Sequence, residues 1–147
     1  MKLYNIKLAE RFLWGTILGI IFGLFCFVSF SSQPNMPADL SQWQKWSWNN
    51  VWMWRTIFNR MILGLVVAIA GLITRCPIFG IKIPIWLRGI KVGFIISLPM
   101  AMSSLQNSNM EIAWNGFWIV LILGSVIGAL IDIIITRFTG EGKILLK

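Results

Sequence analysis

The 147-residue chain contains no histidine, two cysteines, one tyrosine and five acidic residues. Without imidazole there is no histidine ligand for haem, no histidine general base and few routes to a transition-metal site. Cys26 and Cys76 are too few for a zinc or iron–sulfur centre, and they fall at opposite membrane depths, out of disulfide reach. The acids are Glu10, Asp39, Glu111, Asp132 and Glu141. A paired-carboxylate hydrolase needs two of them to meet, yet Glu111 and Asp132 are expected on opposite sides of a membrane. No cofactor or metal is expected, and an enzyme is disfavoured.

What is present points to lipid. Hydrophobic residues make up 57% of the chain and charged ones 12%, against roughly 25% charged in soluble domains. The mean hydropathy is +0.77, and the apolar residues gather into long runs. Four spans are expected, at about 12–30, 56–75, 84–105 and 114–136, each close to the ~20 residues that cross a ~30 Å hydrocarbon core. The first run exceeds the roughly 7 to 15 residues of a cleavable signal h-region, so it reads as a span. Pro77 closes the second. The third contains Arg88, Lys91 and Pro99, with both cations expected to snorkel outward and Pro99 to curve the helix. The fold class is thus an all-α integral membrane protein, a four-transmembrane-helix bundle in one domain over residues 1–147.

Ten of the thirteen Lys and Arg fall in the N-tail, in the inner loop 76–88 with its flanks, and in the C-tail. This bias predicts both termini on the cytoplasmic side of a plasma membrane. The net charge of +8 is accordingly a topology signal with attraction to anionic lipid, and no nucleic-acid partner is expected.

The outer loop, 31–55, holds Trp43, Trp46, Trp48, Trp52 and Trp54. Indole suits the headgroup layer, apolar with an N–H that needs a partner, so these residues read as an interfacial anchor, with a docking surface as the sharper alternative. From residue 39 a helix would put Leu40, Trp43, Val51 and Trp54 on one side. The apolar, isoleucine-rich run 77–87, with Lys82 as its single cation, reads as a cytoplasmic loop against the interface, with a re-entrant segment as the sharper alternative, and Cys76 reads as a juxtamembrane thiol.

Small residues recur at four-residue spacing: Gly15, Gly19 and Gly23; Gly64 and Ala68; Gly89, Gly93 and Ser97; Gly124 and Gly128. Such stripes let helix backbones approach and gain van der Waals contact in lipid. Packing within one chain is the default, and an oligomer would use any face left over. The stripe at 15–23 matches that at 89–97, and Ile73-Thr74-Arg75 resembles Ile135-Thr136-Arg137, which suggests two duplicated helical hairpins.

Arg60 and Asp132 stand on the small faces of their helices, not on the lipid side. A charge in hydrocarbon costs at least about 2.5 kcal/mol, so each needs a partner or water. Arg60 is expected near the outer surface with Asn59 or Glu111, and Asp132 near the inner edge with Arg75, Lys91 or Arg137. Two functions are compatible with this inventory. The leading one is a non-enzymatic scaffold or assembly subunit acting through helix packing, in the lipid bilayer, with a second copy or another membrane protein as partner. The other is a small homo-oligomeric transporter or channel using Arg60 and Asp132.

Overall fold

A computed structural model describes residues 4–29, 46–75, 82–106 and 108–141. Trp43, Leu40, Cys76 and residues 77–81 lie outside them. The described chain forms four helices, each long and apolar enough to cross a membrane: α1 (Tyr4–Ser29), α2 (Val51–Ala70), α3 (Ile85–Ser104) and α4 (Met110–Thr139). Four helices of this length and composition suggest a multi-pass membrane protein.

The boundaries differ from the apolar runs for local reasons. α2 starts at Val51 rather than 56 because Asn50 caps it, its side chain accepting from the Trp52 amide at 3.0 Å. Asn109 likewise accepts from the amides of Glu111 and Ile112 and starts α4 at Met110 rather than 114. Each cap satisfies helix amides that have no carbonyl partner. Trp52 and Trp54 therefore belong to α2 and not to a loop. Trp46 and Trp48 lie in the turn before it, where the Trp54 indole donates to the Trp48 carbonyl at 2.9 Å and Trp46 meets Phe27 edge-on. α2 ends at Ala70, so Ile73-Thr74-Arg75 lies past its helix, whereas Ile135-Thr136-Arg137 lies inside α4. The two tripeptides are not equivalent. Beyond α2, Arg75 and Lys82 form an antiparallel bridge. α3 runs unbroken through Pro99.

The glycine stripes set the packing. Antiparallel α1 and α2 cross with Gly15 on Gly64, and α3 and α4 cross with Gly89 on Gly128 and Gly93 on Gly124. A Cβ built on Gly15 would stand 2.6 Å from the Gly64 carbonyl oxygen, and one on Gly89 would stand 2.5 Å from that of Gly128. Gly19 faces the Arg60 carbonyl and Gly23 faces Ile57. Ala68 is fully buried beside Gly15 and Ser97 beside Gly124. All four small faces are thus used inside one chain. Between the hairpins, Cys26, Leu63, Val67, Ile127, Ile131 and Ile135 form the apolar core.

Candidate polar sites within the bundle

Two groups of charged side chains interrupt this core. The first lies where α1 and α3 begin and α2 and α4 end. Asp132 of α4 is fully buried and receives two arginines that the sequence reading leaves at the membrane edge. Arg88 of α3 grips it with both arms of its fork, Nε to Oδ2 at 2.7 Å and Nη2 to Oδ1 at 2.9 Å. Arg11 of α1 donates from Nη2 to Oδ1 at 2.9 Å. Paired, planar contacts of this kind are the strongest that guanidinium makes with carboxylate.

The remaining donors are satisfied too. Arg11 Nε donates to the Ala68 carbonyl on α2 at 3.0 Å, and its Nη1 donates to Thr139 Oγ1 and to the Gly140 carbonyl. Arg88 Nη1 donates to the Ile73 carbonyl and to Glu141 Oε2, both at 3.3 Å. Gly140, at φ 81°, adopts a backbone conformation open to glycine, which ends α4 and turns Glu141 back to this face, where Lys82 reaches it at 3.6 Å. Gly71 leaves room for the Arg11 guanidinium, which lies where a Cβ would stand. The cluster therefore ties all four helices together, with two buried arginines set against Asp132 and the partly covered Glu141.

These contacts correct three expectations. Asp132 pairs with Arg11 and Arg88, and not with Arg75, Lys91 or Arg137. Arg88 does not snorkel; it is 4% exposed, while Lys91 one turn on is exposed. Arg11 counts in the sequence as a topology charge, yet it is fully buried. A signal for Arg11 was present: it continues the stripe Gly15, Gly19, Gly23 by one more step of four, so it had to face the partner helix. Arg88 carries no comparable mark, because it stands one residue off its stripe.

The second group sits half-way along the bundle. Arg60 is the tenth of the 20 residues of α2, about 14 Å from its start, and is 2% exposed. It is central, not at the rim, and it meets neither Glu111 nor Asn59. Its Nη1 donates to Ser97 Oγ of α3 at 2.7 Å. Asn59 donates from Nδ2 to the Ile96 carbonyl at 3.2 Å, so α2 and α3 are joined by two adjacent polar contacts. Gly124 of α4 completes the site, since a Cβ there would collide with Ser97 Oγ and come within 3.0 Å of Arg60 Nη1. Arg60 Nε and Asn59 Oδ1 are buried and have no hydrogen-bond partner among the described residues. No cluster of metal-ligating side chains occurs among those residues.

No protein-family model, no curated protein and no solved structure matches this chain.

Proposed function

We propose that the chain is a non-enzymatic scaffold or assembly subunit of a cytoplasmic membrane, holding both termini on the cytoplasmic side and acting on other membrane proteins through its outer helix faces. The observation that carries this reading is how the fold uses its residues. The glycine faces and the Asp132 cluster are occupied in holding the bundle together, and what faces outward is aromatic and aliphatic. Trp114, Trp118, Ile119, Ile122, Val126 and Leu130 of α4 are all more than 40% exposed. Such a surface meets lipid or a partner helix. The glycine-on-glycine crossing common to both hairpins supports an origin by duplication.

The charge bias supports the orientation even after the buried arginines are discounted. Without Arg11, Arg60 and Arg88, eight cations remain on the expected cytoplasmic side and two on the other. A single cysteine added after Lys147, in a chain whose own cysteines are replaced by serine, should react with an impermeant maleimide in inverted vesicles and not in intact cells. Labelling in intact cells would reverse the orientation.

A photo-crosslinking residue at Trp118 or Ile122 should give an adduct of one defined mass in native membranes. The same residue at Leu121, which is 2% exposed, should give none. If positions 118 and 122 capture lipid alone, the scaffold reading fails. Against the transporter reading, Asp132 accepts three bonds at Oδ1, from Arg11, Arg88 and Thr136, and one at Oδ2 from Arg88, which commits its charge to holding the helices. Arg60 carries no such ion pair among the described residues.

A further inference from the structure

We infer that Arg60 and Ser97 form a binding site for a small inorganic anion of halide size at the centre of the bundle. The inference stands apart from the scaffold reading.

The contrast among the three buried arginines carries it. Arg11 and Arg88 each donate five hydrogen bonds, and each has a carboxylate. Arg60, as deeply buried, donates one hydrogen bond among the described residues, to a neutral hydroxyl. No described acid pairs with it, since the ion pairs of the described residues belong to Arg11, Lys82 and Arg88. Guanidinium does not give up its proton in proteins, so a negative charge must come from outside the described residues or the desolvation of Arg60 goes uncompensated.

The donors present suit an anion. Ser97 Oγ accepts from Arg60 Nη1, which leaves the hydroxyl proton to be donated onward. Arg60 Nε–H is buried and unpartnered. Asn59 Oδ1, on the preceding residue and likewise unpartnered, is an acceptor and would be served by a water rather than by the ion. The size class follows from the walls. The site lies where α2, α3 and α4 converge, and at Gly124 even one added carbon meets both Ser97 and Arg60. A tetrahedral oxyanion would have to part these helices, whereas a single halide, about the size of one methyl group, needs only the Ser97 and Arg60 side chains to shift.

Bromide is the probe. Full-length protein in an uncharged maltoside detergent should melt at higher temperature in sodium bromide than in sodium gluconate at equal ionic strength, because a ligand that binds the folded state stabilises it by mass action. Sulfate stabilises folded proteins generally by exclusion from their surface, so its control is competition: it should not displace bromide from the protein. Bromide-81 NMR line broadening should saturate, and R60Q should weaken bromide by about ten- to hundredfold, the loss of a charge-assisted contact. S97A should weaken it in the same direction. R60Q keeps the other twelve cations, so equal broadening in wild type and R60Q would assign bromide to surface lysines and overturn the site. If R60Q does not fold, the wild-type comparison and S97A decide: identical melting in bromide and gluconate, or an S97A affinity equal to wild type, also overturns it.

Discussion

Asp132→Ala should cost about 3–5 kcal/mol of stability, the largest effect expected of a single substitution here, because it strands two buried guanidinium groups at once. Arg11 and Arg88 would face each other with the partly covered Glu141 as the one acid left in the cluster. Asp132→Asn should be nearly as harmful. The amide keeps one acceptor but turns an NH2 toward Arg88 Nε or Nη2, where oxygens now receive hydrogen bonds at 2.7 and 2.9 Å. Unfolding in a detergent titration, followed by tryptophan fluorescence, reads this loss. The informative companion is the triple change Arg11→Met, Arg88→Met and Asp132→Leu. Buried ion pairs and triads are often replaceable by apolar side chains of similar volume without loss, since desolvation offsets much of the Coulomb attraction. A triple variant that folds, beside a single variant that does not, would identify the cluster as a clasp. If Asp132→Ala were as stable as wild type, the clasp would be wrong.

Gly64→Leu and Gly93→Leu should each destroy the packing of their own hairpin. At both positions the obstacle is backbone: the Gly15 carbonyl lies where the first side chain would begin, and the Gly124 carbonyl where the second would. A rotamer change cannot relieve a clash with a carbonyl, so the helices must separate and lose contact along the whole crossing. Overpacking that side chains can absorb costs about 1–3 kcal/mol; these two substitutions should exceed that range. Proteolysis in mild detergent should become rapid, with oligomer size unchanged wherever folded protein persists. A folded variant with an altered oligomer size would transfer the glycine faces to contacts between chains. Leucine at Ile122, 60% exposed, is the control and should be silent.

The stripes at 15–23, 64–68, 89–97 and 124–128 were legible in sequence, as was the presence of Arg60 and Asp132 on them, because helical periodicity alone assigns a residue to a face. Identifying the facing helix is another matter. The sequence places Arg60 within reach of the surface and of Glu111, because distance along a helix can be counted while lateral distance between helices cannot. The same gap hid the Arg11–Asp132–Arg88 cluster. Its members stand 44 and 121 residues apart along the chain from the shared carboxylate, and no local pattern marks them as neighbours.

Composition and periodicity by themselves determined the class of this protein: four apolar helices with small-residue faces, no histidine chemistry and few acids. Those properties depend on how each segment partitions between water and lipid, and each segment does so largely on its own. The tertiary structure alone decided which charges meet. An arginine at a helix end has the same sequence signature whether it snorkels, as Lys91 is free to do, or turns inward to a carboxylate, as Arg88 does. The choice rests on whether a buried acid on another helix offsets the loss of water, and the crossing of the helices is what brings that acid within reach.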